Sequence, residues 1–453
     1  MVEKINQRLG YIFLALIYIT FLSPSAQAIS LITDEEAEVF LHQTVAPIFK
    51  ASGTSFNPRK IYIVNDKSLN AFVTDGNNMF VTVGTLIAAD TQNEISGVLA
   101  HETGHIQGGH ILRHKLRAQE IQRVALASML LGGAAGLAAG RADVSIAAIL
   151  GSQGTAINSM LTYQISEERS ADEAAVKLLK KINQSPAGML NFMKKIQKQN
   201  TVQGIEETSY FRTHPITSER IAFLEKAAND SQAPKYGNQE KEFSRIKAKI
   251  YAYIEEPKQT FIKYPASDNS VEARYARSIA YFKDLKMDSA LSLIDGLIKE
   301  EPYNPYFYEL RGQMLLETGK ISSAIENYKQ ALKIRPHSAL FKLNLAQSML
   351  ENSPSPAEQQ QIVDMLNQVL IYNPESYAWL LLARAYGLQQ NAAGYNYAAA
   401  EFSLLDQDID LAKNQAEQAL KSNPSSALRI KLEDLMMRIK DKEKEQQPFN
   451  RHY

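Results

Sequence analysis

From about residue 270 the chain repeats itself with a step of 34 residues: Ala290 and Ala324 are 34 apart, Pro302 and Pro336 are 34 apart, and Gly312 aligns with Ala346 at the same period. A unit this short cannot bury an apolar face alone and must stack on its neighbours, so this half of the chain can only be a string of similar helical units. The second unit is the best formed. It has Leu310 and Gly312 in a first helix, Ala324, Tyr328 and Ala331 in a second, and Pro336 at its end. The pattern then loosens, because Ser353-Pro354-Ser355-Pro356-Ala357-Glu358 stretches the next turn and puts Pro374 38 residues after Pro336. The last unit, Trp379 to Pro424, is longer still.

Thirty-four residues is the length of the tetratricopeptide helix pair, whose small residues allow close stacking into an α-solenoid with a concave groove. Tyr281, Phe282, Tyr306, Tyr308, Phe341, Tyr372, Tyr377 and Trp379 fall at helical spacing and are expected mostly in its core, with a few on the concave face. At 453 residues the chain is too long for one core. The polar, turn-forming stretch Asn229 to Gln239 marks a boundary. The expected order is a leader over 1–28, a catalytic domain over 29–228, a linker over 229–269, a repeat domain over 270–430 and a charged tail over 431–453. The expected fold class is α+β, mainly α.

The leader is read from Lys4 and Arg8 ahead of the apolar stretch Tyr11 to Leu22, closed by the small-residue pattern Ala26-Gln27-Ala28 of a secretory signal peptide. Without Lys4, Arg8 and Glu3 the remaining chain has 47 basic and 48 acidic residues, too balanced for a nucleic-acid-binding field. It contains no cysteine, which excludes thiolate metal sites and thiol nucleophiles and fits an exported protein without disulfides. Together these features point to a bacterial periplasm. The apolar run Val124 to Gly140 is short for a membrane span and rich in glycine and alanine. It reads as a buried or interfacial hairpin, and is also a candidate lid or peripheral membrane contact.

The chemistry is concentrated in His101-Glu102-Thr103-Gly104-His105, which continues the apolar-periodic run starting at Ile95. Histidines four apart on a helix share one face, so both imidazoles can hold one metal ion while Glu102 serves as general base toward water. Lys60 to Val64 reads as a strand, and Ala71 to Val73 with Met79 to Val83 as a hairpin about Asp75-Gly76-Asn77-Asn78. An exposed edge strand would give an extended substrate main-chain hydrogen bonds. Asn77 to Val83 is the candidate edge, an ordinary structural strand being the alternative.

A catalytic zinc site takes three protein ligands and leaves a position open. A metzincin would place its third histidine at position 111, but that residue is Ile111, and His110 falls one short. The other solution is a glutamate on a later helix, and Glu168 fits, with Ala171 and Ala175 on its face permitting close packing on the metal helix. A surface glutamate beside Glu167 and Glu173 is the alternative. Arg220 and His214 are candidate oxyanion donors, Arg220 being equally a candidate partner of Asp172. Asp172 is expected to orient a ligand histidine or that arginine.

Asn70-Ala71-Phe72, Val83-Gly84, His101-Glu-x-x-His105, Glu168-x-x-Ala171-Asp172 and Thr213-His214-Pro215 followed by Arg220 together resemble the gluzincin peptidase family that includes the CAAX-prenyl protease and the membrane-stress proteases. The resemblance implies one Zn2+ held by His101, His105 and Glu168, with His214 near the metal and able to fill its open position at rest. It also implies a zinc endopeptidase acting on unfolded or stalled outer-membrane β-barrel proteins, with the β-barrel assembly machinery docked through the repeat groove and a chaperone-like contribution. The competing reading is a non-proteolytic assembly chaperone or scaffold that binds clients through its repeats.

Overall fold

The structure is a computed structural model that describes residues 30–446 except 56, 58–59, 118, 121–122, 124–163, 204–213, 235–238 and 373–375. The expected leader, the apolar run 124–140 and Thr213 lie outside the described residues. Among the described residues, no helix is long and apolar enough to cross a membrane. The fold is α+β and mainly α, and it divides into two compact units, Met1–Asp34 with Leu41–Asn238 and Glu35–Phe40 with Gln239–Tyr453.

In chain order, the first unit comprises β1 (Leu31–Ile32), most of α1 (Glu35–Ser52), β2 (Ile61–Val64), β3 (Ala71–Thr74), β4 (Asn78–Thr82), α2 (Val83–Ala88), α3 (Gln92–Gln107), α4 (residues 110–117), α5 (residues 164–181), α6 (Ala187–Gln203) and α7 (Ser218–Asn229). The four strands lie in the order β1-β2-β4-β3, with β2 and β4 parallel and the other pairs antiparallel. Strand alternation sorts the side chains. Ile61, Ile63, Ala71, Met79 and Val81 are buried, while Tyr62, Phe80 and Phe72 stack across the other face at 5.0 and 4.9 Å. The β3–β4 turn has positive φ at Gly76 (78°) and Asn77 (62°), the conformation a tight hairpin needs and the Gly-Asn pair tolerates.

This sheet order corrects one expectation. The segment Asn77 to Val83, offered as the edge, contains β4, which is internal because β2 pairs with its outer side; the edge beside it is β3. Hairpin chemistry fixes the β3–β4 pairing locally, whereas the parallel β2–β4 pairing is a non-local choice that no turn residue announces.

Helix α3 is the centre of this unit, buried on all sides from Gln92 to His105. Thr91 caps it by accepting the Glu94 N–H, and the Glu94 carboxylate accepts from the Asp90 N–H and from Lys195. Two glycines let backbones approach it. A Cβ on Gly97 would lie 2.6 Å from the Met189 backbone on α6, and one on Gly104 would lie 2.7 Å from the Ala171 carbonyl oxygen on α5. Ala171 and Ala175 are fully buried, as the small-residue face of this helix implied.

The second unit is an α-solenoid of helices α8 (Glu240–Ile254), α9 (Pro257–Lys263), α10 (Val271–Lys283), α11 (Met287–Glu300), α12 (Pro305–Glu317), α13 (Ile321–Ile334), α14 (Ala339–Glu351), α15 (Pro356–Tyr372), α16 (Ser376–Leu388), α17 (Ala392–Leu405), α18 (Ile409–Lys421) and α19 (Ser426–Gln446). Ala290 and Ala324 are buried at matching points of successive pairs, and Gly312 makes room for the Tyr328 ring, 2.9 Å from where its Cβ would be. Phe282, Tyr306, Phe341 and Trp379 are core, whereas Tyr377 is 42% exposed.

Three readings of this unit change. The expected linker 229–269 holds α8 and α9, because Phe243, Ile246 and Ile250 recur at helical spacing and are buried behind the polar start of the stretch. The expected long last unit is a pair, α16 and α17, followed by the opening of another, α18. The charged tail expected over 431–453 continues α19 as far as Gln446, since Leu432, Leu435 and Ile439 are buried among its charges.

Two glycine substitutions should separate close packing from open helix. Gly104→Ala is expected to lower stability by about 1–3 kcal/mol through overpacking against Ala171. Gly296→Ala, whose Cβ would meet nothing within 4 Å inside α11, is expected to raise it by up to about 1 kcal/mol. Urea denaturation followed by circular dichroism checks both signs.

Candidate metal centre

Helical spacing places His101 and His105 one above the other on α3, with ring centroids 4.7 Å apart and edge to face. On α5 the same spacing puts Glu168 and Asp172 on one face, and the Gly104–Ala171 approach brings that face up to the histidines. His214 stands just ahead of α7, and Arg220 lies in its first turn, where Thr217 caps the helix by accepting the Arg220 N–H. All seven residues singled out in the sequence meet here. His101, Glu102, His105, Glu168, Asp172, His214 and Arg220 are each at most 7% exposed.

The ligand-type atoms converge on one point. His101 Nε2 and His105 Nε2 are 3.1 Å apart, and Glu168 reaches each at 3.2 Å through Oε2 and Oε1 respectively. His214 Nδ1 lies 3.4 Å from His101 Nε2 and 3.0 Å from Glu168 Oε1. Its other ring nitrogen, Nε2, lies 3.3 Å from the carbonyl oxygen of Ala71 on edge strand β3, so Nδ1 is the nitrogen that faces the cluster. One atom from each of His101, His105, Glu168 and His214 falls within 4.8 Å of all the others.

A surrounding layer holds these groups in place. His101 Nδ1 lies 2.9 Å from Asp172 Oδ1, within ion-pair distance. Arg220 forks onto Asp172 through Nε at 2.6 Å and Nη2 at 2.9 Å, and its Nη1 reaches Glu168 Oε2 at 2.8 Å and the Pro215 carbonyl at 2.7 Å. His105 Nδ1 lies 2.9 Å from His110 Nδ1. On α4, His114 and Arg113 both bind Glu167, at 2.6 and 3.2 Å.

Charge is concentrated in this buried volume. The carboxyl groups of Glu102, Glu168 and Asp172 share it with one guanidinium, Arg220, and the ring of His101, so the positive charge that balances them sits among the ligand-type atoms. Burial opposes protonation of His101, but the Glu168 charge and hydrogen bonds to Asp172 and Glu168 outweigh it and hold its pKa up at about 10. Burial pulls His105 down to about 3 despite its Glu168 contact, and also lowers His110. Burial would raise Glu168, but the charges of His214 and His101 hold it well below the usual carboxylate range. Glu102 goes the other way. Burial raises it, and both of its oxygens are buried without a hydrogen-bond partner, the nearest basic atom being His214 Nε2 at 3.5 Å.

These observations fit a metal: imidazole nitrogens of three histidines and a carboxylate oxygen converge in one buried volume, and a bound cation can take the place of the proton held on His101. The sequence reading missed two participants, His110 and Glu167. The available signal was a Gly108-Gly109 chain reversal followed by His110 and His114 at helical spacing.

Residues 35–228 match the model of peptidase family M48, and residues 312–353 match a TPR repeat. The chain is similar to the beta-barrel assembly-enhancing protease of Escherichia coli (strain K12), with 25% identity over 80% of this chain and 75% of that protein. It is similar to the protein of the same name from Yersinia pestis, with 23% identity over 73% of this chain and 68% of the relative. It is also similar to Metalloprotease LoiP of Escherichia coli (strain K12), with 29% identity over 39% of this chain and 66% of that one. The chain is therefore a metalloprotease, with a peptidase family M48 domain over residues 35–228 followed by tetratricopeptide repeats.

Proposed function

We propose that this metalloprotease is a zinc-dependent endopeptidase of the periplasm that acts in quality control and assembly of outer-membrane β-barrel proteins, with a chaperone-like contribution from its repeats. One observation carries the enzymatic part. The separations among His101 Nε2, His105 Nε2 and the Glu168 oxygens are 3.1–3.2 Å. Imidazole nitrogens and a carboxylate are donors of the kind that hold zinc. His101, His105 and Glu168 would hold the ion, with His214 Nδ1 close enough to join them. The leader-like residues 1–28, the lack of cysteine and the name carried by the relatives support the compartment and the client class.

When bound, zinc supplies Lewis acidity toward a peptide carbonyl and acidifies water. Glu102 accepts a proton from water at one carboxylate oxygen and returns it to the departing amine, and the burial that raises its pKa strengthens it as a base. Asp172 fixes His101 through Nδ1. Arg220, with its fork on Asp172 and Nη1 on Glu168, fits the role of Asp172 partner better than that of oxyanion donor. His214, in contact with the Ala71 carbonyl of edge strand β3, would have to move for an extended peptide to lie along that strand.

Purified protein is expected to contain one zinc and to hydrolyse casein, and Glu102→Gln should retain zinc while losing about 100-fold or more in rate. A wild type that cleaves no unfolded protein, together with a Glu102→Gln variant that keeps full client-assembly activity, would sink the enzymatic reading. His214→Ala should hydrolyse casein faster than wild type if this residue gates the site; an unchanged or lower rate counts against gating. Arg220→Lys keeps the charge but loses the fork. It is expected to lower the melting temperature of the metal-free protein, which calorimetry can check.

A further inference from the structure

Helix α3 stops two residues after His105. Gly108 ends it at φ −71°, and Gly109, at φ +64°, reverses the chain so that α4 begins with His110. The reversal carries the His110 ring back to His105, with 2.9 Å between the two Nδ1 atoms and the rings edge to face at 4.8 Å. His110 is 1% exposed. The space it occupies exists because residue 108 is glycine: a Cβ there would lie 2.3 Å from His110 Nε2.

We propose that His110 is the positioning residue for the ligand His105. The inference deepens the zinc reading above and rests on it. An imidazole that offers its Nε2 lone pair to a metal carries its proton on Nδ1, and that proton needs a buried acceptor to fix the tautomer and the ring rotation. For His101 the acceptor is Asp172. For His105 the Nδ1 neighbour is His110 Nδ1, so His110 takes the N–H with its lone pair and carries its own proton on Nε2. The two ligand histidines are thus held by different chemistry, one by a carboxylate and one by an imidazole. Arg113 and His114 extend the arrangement, since their shared partner Glu167 ties α4 to the helix that bears Glu168.

His110 is too far along the chain to be a fifth donor on the HExxH face and acts through His105. The test uses the full chain, stripped of metal and titrated with zinc against a chromogenic chelator. His110→Phe keeps the ring volume but removes the acceptor. It is expected to weaken zinc binding by about 10- to 100-fold, with faster zinc loss to the chelator. His110→Asn can place a carbonyl oxygen near the lost Nδ1 and is expected to recover most of that affinity, while the metal-free melting temperature stays the same in both variants. Gly108→Ala, which displaces the ring without removing it, should weaken zinc as His110→Phe does, and serves if the latter fails to fold. Zinc affinity in His110→Phe equal to wild type, or His110→Asn as weak as His110→Phe, would overturn the assignment. A wild type that binds no zinc would instead overturn the zinc reading itself.

Discussion

The catalytic half of this chain depends on the contact between α3 and α5, where the absence of a side chain on Gly104 lets the backbone of Ala171 come within reach. A side chain at Gly104 would meet the Ala171 carbonyl oxygen and push the helices apart, carrying Glu168 away from the histidines it now meets at 3.2 Å. The glycine inside the HExxH segment is thus the condition under which residues more than sixty positions apart form one site. Gly97 against Met189 repeats the device two turns earlier on nearly the same face, so α3 is held at two points by close backbone approach.

Electrostatics follow from that packing. Three carboxyl groups and one guanidinium cannot be enclosed cheaply, and the arrangement is tolerable only because each charge is shared. Asp172 is spread over His101 and Arg220, and Glu168 over both histidines, His214 and Arg220. Glu102 has the longer contact to His214 at 3.5 Å, and burial raises its pKa against the pull of His214 and His101. A single buried volume therefore pushes two glutamates in opposite directions.

Much of this was legible because it is local. Two histidines at a spacing of four, an ExxAD helix with alanines on its inner face and the Asp75-Gly76-Asn77 turn each state their geometry within a few residues. The repeat period did the same for the solenoid. What could not be read was set by distant partners. The internal position of β4 follows from β2, and the helices inside 229–269 were hidden behind a polar start. As a metal ligand His110 stands one residue out of register, so its spacing points away from the site. Its contact with His105 appears only once the Gly108-Gly109 reversal is drawn in space.

The sole tryptophan of the chain, Trp379, is buried in α16 with Tyr397 edge-on at 5.5 Å, inside the repeat unit. Indole emission excited at the red edge of the near-ultraviolet therefore arises from the solenoid alone. The chain carries a built-in fluorophore that watches the helical repeats while remaining spectrally silent about events among the histidines of the peptidase domain.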